Sequence, residues 1–323
     1  MSGNSKQQRV ILNLTGGLGN QLFQVAAGLS CFPNSAIELH SDIGVPRRNL
    51  HSQVDISEFR LPGGVEFGPD KIKSRFVSKV FGFNIRSSKH PKWFEKNWLF
   101  QGFVRFATKI IFAFYFGKIG TIVTEQNINK QKAKDSLKRI YLIGYFQNIN
   151  WVNSAREQLS KQIYLQNPSL PFQELAKQAN RGIVIAHVRR GDYRNEPNFG
   201  LLGSDYYAAV IEELLENHAI SEMWLFSDEP DTALKMVASI ARNRFKIKSI
   251  PTEGLSSAET MELMRLGEHY IIGNSTFSWW GAYLSKNPNG SVFAPTPWFK
   301  NSPDDSSLRV IDWNYRHAGY ENP

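Results

Sequence analysis

From Arg181 onward, short apolar runs alternate with longer stretches whose apolar residues recur at helical spacing. Gly182-Ile183-Val184-Ile185-Ala186 reads as a buried strand running into His187-Val188. From Ser204 a helix follows, with Tyr207, Val210, Ile211, Leu214 and Leu215 on one face. Strand Met223–Phe226 leads to a helix after Pro230, strand Phe245–Ile250 to a helix over 257–266, and strand His269–Ile272 to a helix through Trp279. Ser291-Val292-Phe293-Ala294 reads as a fifth strand. Strands and helices in this rhythm predict a parallel, doubly wound sheet of Rossmann type.

The first half is less regular. Arg9–Leu14 reads as a strand that ends in Thr15-Gly16-Gly17-Leu18-Gly19-Asn20-Gln21, and Leu22, Phe23, Val25, Ala26 and Leu29 then recur at helical spacing. Glycines in such a turn permit positive φ and let a ligand approach the backbone. The turn is not the dinucleotide fingerprint, because Leu22 stands where that pattern needs its third glycine. A strand over Ile140–Phe146 and a helix over Asn153–Gln162 follow. Asn167-Pro168-Ser169-Leu170-Pro171 reads as a helix start or a short linker. This division gives an N-terminal domain over 1–165 and a C-terminal domain over 166–323.

The net charge of +9 is unevenly spread. Lys71 to Lys118 holds 11 Lys and Arg against the single acid Glu95, together with 13 aromatic residues, and the remainder is close to neutral. Residues 62–120 thus read as a basic, aromatic insertion. Three readings of it stay open: a helical subdomain with a solvated basic face, a surface for anionic membrane, or a nucleic-acid surface. The last rests on composition alone, and no nucleic-acid partner is expected. Arg105 and Lys109 interrupt the best candidate for a membrane span. A single cysteine, Cys31, excludes an intrachain disulfide, and Met1–Gln8 lacks the apolar core of a signal peptide. A cytoplasmic protein, peripheral at the inner membrane face if the basic segment engages lipid, is the expectation.

Three polar clusters end three strands of the C-terminal sheet: His187-Val188-Arg189-Arg190-Gly191-Asp192, Ser227-Asp228-Glu229, and Gly273-Asn274-Ser275-Thr276. Ligands bind at the carboxyl ends of strands in open α/β sheets. Arginine forks bind phosphate oxygens, and a helix N-terminus attracts an anion. The third cluster opens a helix, so it either caps that helix or binds an anion. Asp228 either accepts from a ribose or base or caps the next helix. Together they point to a nucleoside diphosphate. Neither an Asp-X-Asp metal clamp nor a Walker-type phosphate loop occurs.

With these clusters, Gly16-Gly17-Leu18-Gly19-Asn20-Gln21-Leu22-Phe23-Gln24, Gly144-Tyr145-Phe146-Gln147 and Asn274-Ser275-Thr276-Phe277-Ser278-Trp279-Trp280-Gly281-Ala282 complete a pattern. It resembles the bacterial α-1,2-fucosyltransferases of glycosyltransferase family 11; a related GT-B fucosyltransferase of α-1,6 or α-1,3 linkage and a non-catalytic, membrane-associated glycan-binding protein are the alternatives. The resemblance implies a GT-B fold, two Rossmann-like domains facing across a cleft. It implies GDP-β-L-fucose as donor, a galactose-terminated oligosaccharide as acceptor, and no metal or other cofactor; if the basic segment engages membrane, a lipid-linked acceptor follows. It implies Arg189 on the β-phosphate and His187 and Asp228 near the guanosine. Arg190, Asn274, Ser275, Thr276 and Phe277, with Gly17 and Gly19, fall among the donor-binding residues, and Asn20 reaches the same region. Asp192 is the first candidate for the base that takes the acceptor proton, or else it orients Arg189.

Overall fold

The computed structural model describes residues 8–40, 55–68, 106, 110, 120–129 and 139–321, except 197, 252, 288 and 302–305. The basic segment 71–118 lies outside the described residues save Phe106 and Ile110, which are both exposed. The chain divides into two compact units, Met1–Ile163 and Tyr164–Pro323.

In the first unit, β1 (Arg9–Asn13), α1 (Leu18–Cys31) and β2 (Ala36–His40) are followed by the short strands β3 (Phe59–Arg60), β4 (Val65–Phe67) and β5 (Thr121–Val123), then β6 (Arg139–Leu142) and α2 (Ile149–Gln162). Five of these strands form a parallel sheet in the order β4-β2-β1-β6-β5. The nearly fully buried α1 packs on it, with Gly28 so close to Ile37 and Leu12 that a Cβ there would come within 3.2 Å of Ile37. The sequence predicts a strand as far as Phe146, but it stops at Leu142. Beyond it Gly144 (φ +151°) and Phe146 (φ +54°) turn the chain away, and the Phe146 N–H is taken by the Glu125 carboxylate. The helix after it starts at Ile149 rather than near 153, because the Asn148 side chain caps it by accepting from the Asn150 N–H at 2.9 Å.

The second unit opens with β7 (Tyr164–Leu165) and α3 (Leu170–Ala176), whose N-cap is Ser169. Then come β8 (Ile183–Val188), α4 (Ser204–Asn217), β9 (Glu222–Ser227), α5 (Pro230–Ala241), β10 (Lys246–Ser249), α6 (Ser257–Met264), β11 (His269–Ile271), α7 (Thr276–Tyr283), β12 (Val292–Thr296) and β13 (Asn314–His317). Six strands make a wholly parallel sheet in the order β10-β9-β8-β11-β12-β13. Numbered within the sheet, this is 3-2-1-4-5-6, the doubly wound order. Every residue of β8 and β9 is buried, as parallel strands covered on both faces require. Val184, Ala186 and Val188 of β8 share a core with Val210, Ile211 and Leu214 of α4 and with Val237 of α5. A Ser256–Glu259 capping box starts α6. The sixth strand is absent from the sequence reading because Asn314–His317 is half-exposed and carries no apolar run.

Candidate functional site

The chain order of the second sheet reverses between β8 and β11, which lie side by side. That reversal opens a crevice at their carboxyl ends. The loop after β8 delivers Arg189 to Asp192, the end of β9 delivers Asp228, and the turn after β11 delivers Gly273 to Ser275. The Ser275 side chain caps α7 by accepting from the Phe277 N–H at 3.3 Å. The helix thus presents its positive end where the arginine loop emerges.

Arg189 is gripped by two carboxylates. Its Nε donates to Asp192 Oδ1 at 3.0 Å, its Nη2 lies 2.8 Å from the same oxygen, and its Nε is 3.2 Å from Asp228 Oδ2. The other Asp228 oxygen accepts from the Arg190 backbone N–H at 2.9 Å. A Cβ at Gly191 would come within 2.7 Å of Asp228 Oδ2, so this close approach requires glycine. Beneath the guanidinium lies the Tyr193 ring, 5.7 Å from its carbon, and the Tyr193 hydroxyl donates to the Asn274 carbonyl at 3.1 Å. Tyr193 therefore ties the arginine loop to the turn that opens α7. At 22% exposure, Arg189 is held firmly yet stays open to a ligand.

Burial sets the proton states here. His187 is 5% exposed, and desolvation, reinforced by the Arg189 charge, pushes its imidazole down to about 4 against the pull of Asp228. It is neutral at pH 7. Burial likewise raises the Tyr193 phenol to about 12, so it remains a donor. His187 Nδ1 and Asn274 Oδ1 are buried without a hydrogen-bond partner among the described residues.

The sequence-derived candidates fall into three groups. His187, Arg189, Asp192, Asp228, Ser275, Thr276 and Phe277 share the crevice of the second unit, with the Phe277 ring 6.3 Å from His187. Arg190 turns elsewhere: its guanidinium forms a bidentate pair with Glu321 at 2.6 and 2.9 Å. The Asn274 amide donates to the carbonyls of Phe199 and Gly200, so it holds a loop. Gly17, Gly19 and Asn20 belong to the first unit. There Gly16, rather than Gly17 or Gly19, takes the positive φ of +81°; Gly17 caps α1 and Gly19 lies in its first turn.

The first sheet has its own reversal, between β1 and β6, and both N-terminal motifs meet there. Gln147 Nε2 donates to Asn20 Oδ1 at 2.8 Å. Gln24 Nε2 donates to the carbonyls of Asn13 and Gly144, while its oxygen accepts from the Thr15 N–H. Gln21 bridges the Gly16 carbonyl and the Ile56 N–H. Tyr193, Gln147 and Glu321 had no assigned role in the sequence. Tyr193 and Gln147 stand inside motifs, which was signal enough; Glu321 stands in none.

Comparison with known proteins agrees with this architecture. The model of Glycosyl transferase family 11 matches residues 121–317. An alpha-1,2-colitosyltransferase of Escherichia coli is 28% identical over 297 residues, covering 90% of this chain and 92% of its own. The O-antigen biosynthesis glycosyltransferase WbnK of Escherichia coli is 29% identical over 182 residues, covering 53% of this chain and 59% of its own. Among solved structures, the fucosyltransferase NodZ from Bradyrhizobium superposes with a TM-score of 0.51 at 14% identity, over 87% of this chain and 94% of that one. At that identity the likeness concerns the fold, which is of the GT-B type. Among the described residues no helix is long and apolar enough to cross a membrane. The protein is a glycosyltransferase, and its chain belongs to glycosyl transferase family 11.

Proposed function

We propose that the protein transfers L-fucose from GDP-β-L-fucose to the 2-hydroxyl of a galactose in a bacterial surface glycan or its lipid-linked precursor, inverting the anomeric carbon. The observation that carries the donor reading is Arg189, held by Asp192 and Asp228 beside the N-terminus of α7. As the bond from the anomeric carbon to the diphosphate oxygen breaks, negative charge grows on the leaving group. A fixed guanidinium and a helix dipole stabilise that charge without reorganising. This chemistry calls for no metal ion. The sugar passes through an oxocarbenium-like transition state while the acceptor oxygen attacks the opposite face. Asp192 is committed to Arg189, which favours an orienting role for it over that of base.

The amide-lined crevice of the first unit suits the acceptor. Asn20 and Gln147, both only partly buried, offer neutral donors and acceptors, the chemistry that sugar hydroxyls require, while the buried Gln21 and Gln24 hold the turn through the backbone. The likeness to a colitosyltransferase supports a second reading, in which the donor sugar lacks the 3-hydroxyl of fucose. GDP release should be followed with GDP-fucose and with its 3-deoxy analogue, with and without EDTA, over a panel of β-galactosides. Acceptor-dependent release with an α-1,2 product by NMR is expected. The faster donor decides between the two sugars, and failure to use either would overturn the reading.

A further inference from the structure

Arg190 is the second member of the arginine pair, yet its side chain does not join the anion site. It is 8% exposed, and its fork is filled by the Glu321 carboxylate, 131 residues away, with Glu229 a further 3.7 Å contact. Glu321 is itself fixed from both sides: its N–H donates to the Leu201 carbonyl at 2.8 Å, and its own carbonyl accepts from Lys300 Nζ at 2.6 Å. Its neighbour Tyr320 donates from its hydroxyl to the carbonyls of Pro297 and Trp298 at 2.9 and 2.7 Å. Segment 319–321 is thereby stitched to the loops after β8 and β12.

The connection onward is short. The Arg190 backbone N–H holds one Asp228 oxygen, and the other Asp228 oxygen faces Arg189 Nε. A shift of the Arg190 backbone must therefore move Asp228 and release one of the two carboxylates that aim Arg189. We propose that Glu321 is a positioning residue for the donor site, acting through Arg190 and Asp228 to fix the direction of the Arg189 guanidinium. The proposal rests on the reading of that crevice as a nucleoside-diphosphate site. A bidentate pair supplies the needed geometry, because the planar fork fixes angle as well as distance. Aim matters, since a misplacement of about 1 Å can cost about a hundredfold in rate.

The test uses the full chain, with GDP as the equilibrium probe and the donor sugar nucleotide for kinetics. Glu321→Gln keeps the shape and removes the charge, and Arg190→Lys keeps the charge and removes the fork. Each is expected to weaken GDP binding about tenfold and to raise the donor KM similarly, with acceptor KM unchanged. The double variant should be no worse than the poorer single one, as residues acting in one chain give. Measurements are made well below each variant's Tm, so lost stability does not mimic lost binding. A lowered Tm with unchanged GDP affinity and donor KM would make the segment a structural clamp only and overturn the proposal. So would strictly additive effects. If the unaltered protein fails to bind GDP, the donor-site reading falls, and this inference with it; unchanged GDP binding in the variants removes this inference alone.

Discussion

The two units share one plan and differ in what they place at its most useful point. Each is a parallel sheet with a reversal of strand order, between β1 and β6 in the first and between β8 and β11 in the second. At the second reversal stand Arg189, Asp192 and Asp228, fixed ionic groups at a helix N-terminus. At the first stand Asn20 and Gln147, amides bonded to each other, with Gln21 and Gln24 buried and bonded to the backbone. The fold supplies the crevice twice, and the side chains give each crevice its chemistry: one suits a diphosphate, the other neutral hydroxyls. Function follows from the contents of the crevice more than from the fold.

The largest expected effect that would break this contrast is at Arg189. Arg189→Ala should lower kcat by roughly 10²–10³, by analogy with loss of an oxyanion donor, while acceptor KM holds. Steady-state kinetics at saturating acceptor check it, and near-normal turnover would remove the charge argument.

Acid provides the next largest. The folded-state value of His187, about 4, lies below an unfolded value of about 6.5. The unfolded chain therefore binds the proton first as pH falls. The stability from keeping His187 neutral is fully present above about pH 6.5 and is lost progressively down to about pH 4, to a total of about 3 kcal/mol. Calorimetric Tm against pH should fall more steeply for the unaltered protein than for His187→Gln; parallel curves would refute it. Burial also lowers His269 on β11, outside the site, so the difference between the unaltered protein and His187→Gln is what isolates the site's share.

Gly191→Ala sharpens the same point with a single methyl group, which would meet Asp228 Oδ2 at 2.7 Å. Donor KM should rise about tenfold through the displaced carboxylate, with a modest change in Tm. The smallest effect is expected in the other unit. Gln147→Ala removes the partner of Asn20 and should raise acceptor KM several-fold, with GDP affinity unchanged in a titration. An effect on GDP with none on acceptor would reverse the assignment of the two crevices.

The contrast also explains what could be read in advance. β8 and β9 announce themselves because strands covered on both faces must be continuously apolar. β13 does not, since it is a half-exposed edge strand. The early end of β6 escaped because Ile143-Gly144-Tyr145-Phe146 still reads as β-rich, whereas its path is set by the positive φ of Gly144 and Phe146 and by a bond to Glu125. At the site, neighbours in sequence were legible as a cluster. Partners brought together by topology were not: Tyr193 meets Asn274 across 81 residues and Arg190 meets Glu321 across 131. The Arg-Arg pair shows this most clearly, because adjacent guanidiniums take different partners, Asp192 and Asp228 for Arg189 and Glu321 for Arg190.

The central claim is that the ionic crevice of the second unit binds a diphosphate through Arg189. Calorimetric titration of GDP and of guanosine into the unaltered protein and into Arg189→Ala, in EDTA, tests it most directly. GDP should bind far more tightly than guanosine to the unaltered protein, and that preference should vanish in the variant at an unchanged Tm. Equal binding of GDP and guanosine by the unaltered protein, or an undiminished GDP preference in Arg189→Ala, would contradict it.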